Sequence, residues 1–229
     1  VKLYNTLFNS LSHELKTPIG VIKGYAEGLN YGVADDREKI KRYCNVISLE
    51  CDRMDGMVKE LLNLSMLESG IFKLNLSNFN LGELIKSVTE RFKPVFDKKD
   101  ITFELSCDGI LLVYADCDLI ERVLNNYIIN AVNHSDGQKK IKVTGEIRNK
   151  NIYVSVFNTG SFIPESEIEN IWGVFYKVDK ARTRQYGGHG IGLSIVKQII
   201  ELHGGRVGVN NTDNGVMFYA EIPQNLENK

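Results

Sequence analysis

A histidine and a glutamate stand side by side in the stretch NSLSHELKTPIG, residues 9–20, and Pro18 follows five positions after His13. An imidazole is neutral and nucleophilic near pH 7, and a neighbouring carboxylate such as Glu14 can orient it. A single histidine on a helix is more often an ordinary surface or core residue, so the pair alone predicts no reaction. The zinc-protease motif HExxH is excluded, because Thr17 stands where that motif needs its second histidine.

A second candidate for chemistry is the glycine-rich stretch GGHGIGLSIVKQIIELHGG, residues 187–205, which opens an amphipathic helix. Glycines there let backbone N–H groups approach an anion, and the N-terminal end of the helix favours negative charge. The stretch predicts a phosphate cradle, although a flexible loop with a helix stop has the same residues. Leu193 stands where a Walker loop needs lysine and a dinucleotide fingerprint needs glycine, which excludes both signatures.

Two amides support a nucleotide site. Asn126 and Asn130 are four residues apart in LNNYIINAVNHS, so they share one face of a helix. Paired carboxamides can bind a hydrated magnesium ion and phosphate oxygens without adding negative charge, although solvated amides would show the same spacing. FNTGSFIP (157–164) and WGVFYKVDKARTRQY (172–186) also agree with a nucleotide site.

The histidine requires a helical scaffold, and the first third of the chain predicts one. Apolar residues recur at helical steps from Leu3 to Leu29; YGVADD (31–36) then interrupts the pattern, with Asp35 or Asp36 as N-cap, and a second helix follows to about Ser69. Two helices cannot enclose a core. We therefore expect the apolar stripe of this hairpin to pair with the same hairpin of a second chain, as a homodimeric four-helix bundle.

The amides and glycines require a different scaffold, and the pattern changes after Gly70. We expect an α+β chain with a helical hairpin at 1–72, a linker at 73–79 and a second domain of helices on a sheet at 80–229. Helices are predicted at Leu81–Asp97, Asp118–His134, Pro164–Trp172 and Gly192–His203, and strands at ITFEL, LLVYAD, IKVTGEI, IYVSVF and GVMFYAEI, which form a mostly antiparallel sheet.

Composition excludes several classes of partner. Lys plus Arg (28) nearly balance Asp plus Glu (29), so no bulk charge recruits nucleic acid or an anionic membrane. The four cysteines form no CxxC motif, which favours reduced cytosolic thiols. No apolar run approaches the roughly 20 residues that span a bilayer. We expect a soluble, cytoplasmic part of a longer protein, because the chain begins inside a helical pattern.

SHELKTP, NNYIINA, NTG, FYK and GGHGIGL, in this order and spacing, resemble the conserved boxes of a bacterial sensor histidine kinase. That type combines a dimerising phosphoacceptor hairpin with a Bergerat-fold ATPase domain, and the resemblance covers nearly the whole chain. FNTGSFIP and residues 175–205 look most like the vancomycin-resistance sensor type. The resemblance implies ATP and Mg²⁺ as cofactors, a response-regulator receiver domain as partner, and a membrane-anchored full-length protein.

Roles on the hairpin follow from this resemblance. His13 resembles the phosphoacceptor that takes the γ-phosphoryl group of ATP, and Glu14 would orient its imidazole. Thr17 matches the residue that positions water against a phospho-aspartate, which implies phosphatase activity. Pro18 cannot donate to the carbonyl of Glu14, so we expect a bend just past the histidine.

Roles in the ATP site follow in the same way. Asn130 would coordinate magnesium, with Asn126 near the phosphates where gyrase and Hsp90-type ATPases carry a water-activating glutamate. Asn158 stands where the family usually has the aspartate that accepts from the adenine amino group; it keeps an acceptor oxygen and loses the charge. Gly160 and Ile163 match the turn and the apolar contact beside the base.

The triphosphate contacts are less regular. Asn133 stands where a lysine is common, and Lys177, Arg182 and Arg184, in or beside a predicted lid at 173–188, are candidates to supply the missing charge. The remaining predicted nucleotide contacts are His134, Tyr176, Gly188, His189, Gly190, Ile191, Gly192 and Leu193.

Two other functions stay open on the sequence. A nucleotide-sensing adaptor, which docks a regulator without efficient autophosphorylation, is favoured by Asn158 and Asn133 but disfavoured by His13, Asn130 and the glycine loop. A chaperone-like or topoisomerase-like ATPase is disfavoured by Asn126, since an amide cannot act as the base.

Overall fold

The computed structural model describes residues 2–70, 72–107, 109–178 and 190–224. Four residues predicted to bind nucleotide, Arg182, Arg184, Gly188 and His189, lie outside these ranges. The chain divides into two compact units. The first comprises Val1–Ser65 with Val174–Ile191, and the second comprises Met66–Gly173 with Gly192–Lys229.

The first unit contains the predicted helical hairpin. Helix α1 spans Lys2–Asn30 and continues through Pro18, and α2 spans Arg37–Glu68. Gly32 follows α1 with a φ of 69°, in the left-handed region where glycine ends helices. The Asp36 carboxylate accepts a hydrogen bond from the Lys39 N–H at 2.7 Å, which confirms an aspartate N-cap.

Packing in the hairpin is uneven along α2. Met57 and Leu64 are 1% and 2% exposed, whereas Ile40, near the start of the helix, is exposed. Near the connection, the Tyr25 and Tyr43 rings meet edge to face at 4.8 Å. A Cβ on Gly28 would lie 2.7 Å from the Tyr43 ring, so this close approach requires glycine.

The second unit is the predicted α/β layer. Its elements are β1 (Leu76–Asn80), α3 (Leu81–Lys98), β2 (Thr102–Cys107), β3 (Leu112–Asp116), α4 (Cys117–His134), β4 (Lys140–Arg148), β5 (Asn151–Thr159), α5 (Gly192–Leu202), β6 (Arg206–Thr212) and β7 (Gly215–Pro223). Among the described residues, no helix is long and apolar enough to cross a membrane.

The main sheet of this unit has the order β2-β4-β5-β7-β6. Only the β2–β4 pairing is parallel, so the prediction of a mostly antiparallel sheet is confirmed. Val143, Val156 and Phe218 stand opposite one another across three strands and are buried, because alternate residues of each strand face the helices.

Three details of the second unit differ from the sequence prediction. Leu76–Asn80 was assigned to a linker but pairs with β3. Pro164–Trp172 forms two short 3₁₀ turns, Glu165–Glu167 and Asn170–Trp172, because Ile171 is its only buried side chain and gives a helix no apolar stripe. Strand β6 was not predicted, since its sequence RVGVNNT is largely polar.

Candidate nucleotide and phosphoacceptor sites

Helix α4 carries the two predicted amides, and a buried carboxylate fixes where it begins. The Asp116 side chain accepts from the Leu119 N–H at 3.2 Å, which caps the helix, and from the Asn75 N–H at 2.9 Å. One face of α4 buries Leu124 and Ile128 in the core. Asn126 and Asn130 are both half-buried, as their four-residue spacing requires of neighbours on one face.

The N-terminus of α5 approaches α4 at Asn126. The Asn126 Nδ2 donates to the Arg122 carbonyl at 2.9 Å, and a Cβ on Gly192 would lie 2.8 Å from the Asn126 Oδ1. Glycine at this position therefore lets the first turn of α5 reach the amide face of α4. The unpaired N–H groups of a helix N-terminus attract anions. Half-buried Leu193 follows directly in this first turn.

Asn158, near the end of β5, presents a buried acceptor with no donor. Its residue is 2% exposed, its Nδ2 donates to the Thr159 carbonyl at 3.1 Å, and its Oδ1 has no partner among the described residues. An unpaired buried oxygen costs about 1–3 kcal/mol. The side chain therefore has a buried acceptor oxygen available to a ligand, while one of its two amide N–H groups is engaged.

The turn after β5 requires glycine. Gly160 has a φ of 150°, and a Cβ there would lie 2.4 Å from the His134 carbonyl oxygen at the end of α4. Beside it, the Thr159 hydroxyl accepts from the Lys140 N–H at 2.9 Å. Asn133 is half-buried and His134 exposed at the same end of α4. Gly160 therefore lies against the end of α4, which carries Asn133 and His134.

Within the first unit, the FYK segment (175–177) is hydrogen-bonded to Gly190 of the glycine loop. The Phe175 N–H donates to the Gly190 carbonyl at 2.8 Å, and a Cβ on Gly190 would lie 2.9 Å from the Tyr176 carbonyl oxygen. Gly190 has a φ of 74°, which glycine alone adopts without strain. Tyr176 is half-buried and Ile191 fully buried.

Lys177 pairs with a carboxylate of the hairpin. Its Nζ lies 2.6 Å from the Glu14 Oε2, and the two side chains are 12% and 30% exposed. His13 and Thr17, four residues apart on α1, are exposed, and Pro18 is buried. The imidazole therefore faces solvent beside a carboxylate held by an ammonium group.

The amide face of α4 suits magnesium bound through a nucleotide. Mg²⁺ prefers oxygen ligands, keeps several waters and usually takes one or two protein ligands plus substrate phosphates. The half-buried Asn130 can supply such an oxygen. The described residues contain no group of three or more His, Cys, Asp or Glu side chains placed to hold a metal by themselves.

His203, directly after α5, is fully buried. Its Nδ1 lies 2.7 Å from the Ile199 carbonyl, and its Nε2 accepts from the Asp116 N–H at 3.0 Å. These partners require the neutral ring with its proton on Nδ1, and burial lowers the pKa of the imidazole. His203 thereby ties α5 to the start of α4.

Two residues beside the site were missed by the sequence prediction. A Cβ on Gly215 would lie 2.0 Å from the Asn158 carbonyl oxygen, so β7 approaches Asn158 only because residue 215 is glycine. The Asn211 side chain bonds the backbone of Ile163. The sequence signal for Gly215 is the turn TDNG; Asn211 gives no signal.

The site and the fold define a two-part class of protein, in which a histidine-bearing hairpin accompanies an ATPase-type α/β domain. The His Kinase A (phospho-acceptor) domain matches residues 4–70, and the histidine kinase-, DNA gyrase B- and HSP90-like ATPase matches residues 115–226. The catalytic domain of the histidine kinase ThkA has a TM-score of 0.60 at 38% identity, over 66% of this chain and 96% of that one. The chain belongs to the sensor histidine kinase family.

Longer relatives agree. The sensor histidine kinase WalK of Bacillus subtilis (strain 168) is 32% identical over 200 residues, 86% of this chain and 33% of that protein. The sensor-like histidine kinase SenX3 of Mycobacterium tuberculosis (strain ATCC 25618 / H37Rv) is 31% identical over 219 residues, 95% of this chain and 53% of that protein. ThkA in complex with the response regulator protein TrrA has a TM-score of 0.81 at 34% identity, over 98% of this chain and 63% of that one. The chain thus spans a third to about half of these curated relatives.

Proposed function

We propose that this chain is the catalytic core of a two-component sensor kinase. Its second unit binds ATP with Mg²⁺, the γ-phosphoryl group passes to His13, and then to an aspartate of a response-regulator receiver domain. The observation that carries the proposal is the buried, unpaired Oδ1 of Asn158.

This oxygen supports recognition of adenine. The exocyclic amino group of adenine is a donor, whereas guanine has a carbonyl oxygen at that position. The Asn158 Nδ2 donates one N–H to the Thr159 carbonyl, which orients the amide, and Oδ1 remains available to accept from the adenine amino group. A guanine carbonyl there would place two acceptors together, so we expect ATP to be preferred to GTP.

The phosphates would lie between the start of α5 and the amide face of α4. The helix N-terminus supplies N–H donors, and Asn126 and Asn130 supply neutral ligands. Bound Mg²⁺ would neutralise charge on the β- and γ-phosphates. Since the Asn126 amide cannot take a proton from water, we expect slow ATP hydrolysis, which leaves the γ-phosphoryl group for His13.

Phosphoryl transfer requires little covalent chemistry from the protein. The unprotonated ring nitrogen of His13 forms a bond to the γ-phosphorus, the bond to the bridging oxygen breaks, and ADP leaves. Positive charge then builds on the imidazole, and the neighbouring Glu14 carboxylate stabilises it through the other ring N–H. Glu14 can do so only to the extent that Lys177 shares or releases it.

The hairpin supports a homodimer. It exposes several large apolar side chains, Ile19, Ile40, Leu49, Val58 and Leu62. A four-helix bundle formed with a second copy would bury such side chains. The complex of ThkA with TrrA supports a receiver domain as the second partner of this chain.

The test is incubation with γ-labelled ATP and Mg²⁺. We expect label that is labile to acid and stable to alkali in the wild type, and none in His13→Gln. Steady phosphate release without labelling would instead support a chaperone-like or topoisomerase-like ATPase. Nucleotide binding with neither outcome would support the adaptor.

Three finer assignments belong to the same proposal. Thr17 gives the hairpin phosphatase activity toward the phosphorylated regulator, which Thr17→Ala should reduce while autophosphorylation persists. FNTGSFIP supports the vancomycin-resistance sensor type. This part acts in the cytoplasm as a segment of a membrane-anchored protein, and fractionation of the full-length protein tests that placement.

A further inference from the structure

We propose that Asn211 is a positioning residue for base recognition: its side-chain amide holds the loop that carries Ile163 against the nucleotide base. This inference rests on the proposed function. It assigns a role to a residue of β6 that lies 48 positions along the chain from the loop it holds.

The contact is bidentate. The Asn211 Oδ1 accepts from the Ile163 N–H at 2.9 Å, and the Asn211 Nδ2 donates to the Ile163 carbonyl at 2.7 Å. One side chain thus gives Ile163 the two backbone hydrogen bonds that a neighbouring strand would give. Both distances lie in the normal range, and the two bonds together fix the direction of the loop as well as its position.

The loop that carries Ile163 is bonded to the β6–β7 hairpin at two points. Between Thr159 and Glu165 it forms neither helix nor strand. Its first residue is tied to the same β6–β7 hairpin, because the Gly160 N–H donates to the Asn214 carbonyl at 3.2 Å. Ile163 is half-buried, whereas Phe162 beside it is exposed. The Asn211 bonds therefore determine where the apolar Ile163 side chain lies relative to the Asn158 acceptor.

This arrangement predicts a specific energetic signature. Asn211 is exposed, so we expect its two bonds to order the loop locally and to leave the core of the unit unaffected. A nucleotide base needs the loop already in place. Removing the amide adds an ordering cost to binding, which we expect to weaken adenine nucleotides about 5- to 30-fold, the effect of losing two ordinary hydrogen bonds.

The chain offers a matched control. Asn210 precedes Asn211 on β6 and is also exposed, but as its neighbour in the strand it faces the opposite side of the sheet. In the strand register it pairs with Met217 of β7. We expect Asn211→Ala to raise the KM for ATP and the Kd for ADP about 5- to 30-fold, with kcat at saturating ATP within about twofold of wild type. Asn210→Ala should leave all three unchanged.

Hydrogen exchange gives a second readout that does not depend on catalysis. The Ile163 amide should exchange faster in Asn211→Ala than in Asn210→Ala without nucleotide. If wild type binds ADP and Asn211→Ala binds it equally well, only this inference is overturned. Equal loss of kcat and affinity with a large fall in Tm would overturn it in favour of a general structural role. If wild type binds no adenine nucleotide, the proposed function fails as well.

Discussion

Replacing Asn158 with leucine should stabilise the protein and weaken its binding of nucleotide. Burial of the unpaired Oδ1 costs about 1–3 kcal/mol, and leucine removes that cost at similar size. The lost bond from Nδ2 to the Thr159 carbonyl opposes this gain by about 1 kcal/mol. That carbonyl keeps a donor, because the Asp136 N–H also reaches it at 3.0 Å. The net effect is a gain of about 0–2 kcal/mol in the free energy of unfolding.

Under the proposed function, the same substitution removes the buried acceptor of the adenine amino group. Loss of that bond and of its solvation should weaken ATP and ADP about 10- to 100-fold. Each stabilising kcal/mol should raise the Tm by about 2–4 °C in a protein of this size. Thermal unfolding without nucleotide measures the first effect, and calorimetric titration with ADP measures the second.

Thr89 provides the control for this experiment. It is also buried and polar, but its hydroxyl donates to the Ile85 carbonyl at 2.9 Å. Thr89 lies on α3, which is distant from the glycine loop in sequence. Thr89→Val should lower the free energy of unfolding by about 1 kcal/mol and leave ADP binding unchanged. An Asn158→Leu protein that is less stable than wild type yet binds ADP normally would refute our account of Asn158.

Two further predictions concern the contacts at the two ends of α5. Gly192→Ala places a Cβ 2.8 Å from the Asn126 Oδ1, so the affinity for ATP, measured by titration, should fall about tenfold. Gly24→Ala is the control. Its Cβ would have no atom within 4 Å, so this variant should bind ATP normally. Burial lowers the pKa of His203 in the folded state below its usual 6.5, so the unfolded chain binds a proton first as the pH falls. The contribution of the neutral imidazole to the free energy of unfolding should therefore be complete above pH 6.5. Below pH 6.5 the free energy of unfolding should fall by at most about 1.4 kcal/mol per pH unit. Urea unfolding between pH 7.5 and 5.5 should show this slope in wild type and in a variant of the exposed His134, but not in His203→Gln; an unchanged slope in His203→Gln would contradict the assignment.

The sequence predicts elements well where burial is periodic. Both hairpin helices, α3, α4 and five strands lie where apolar spacing places them, since each buries one face or stripe. Strands β1 and β6 were not predicted, because asparagine and serine interrupt the alternation of apolar and polar residues in their sequences. Their stability comes from partners distant in the chain: β1 pairs with β3, and the Tyr219 ring covers Gly208 of β6.

Within the site, local spacing was informative and long-range pairing was not. The four-residue spacing of Asn126 and Asn130 correctly predicts neighbours on a helix, because helix geometry is set by sequence separation. Asn211 lies in a polar stretch that resembles a solvated turn, and its contact with Ile163 depends on how β6 is placed in the sheet. No local pattern encodes that placement.

Lys177 shows the same limit for charge. From the sequence, Lys177 was one of three candidates to supply the positive charge that is missing near the triphosphate, because Asn133 stands where a lysine is common. The structure pairs it with Glu14, 163 positions away, and both side chains are partly buried. Both residues belong to the first unit, so the ammonium charge of Lys177 is already paired within that unit. Spacing along the sequence could not indicate this pair, because only the fold of the unit brings the two residues together.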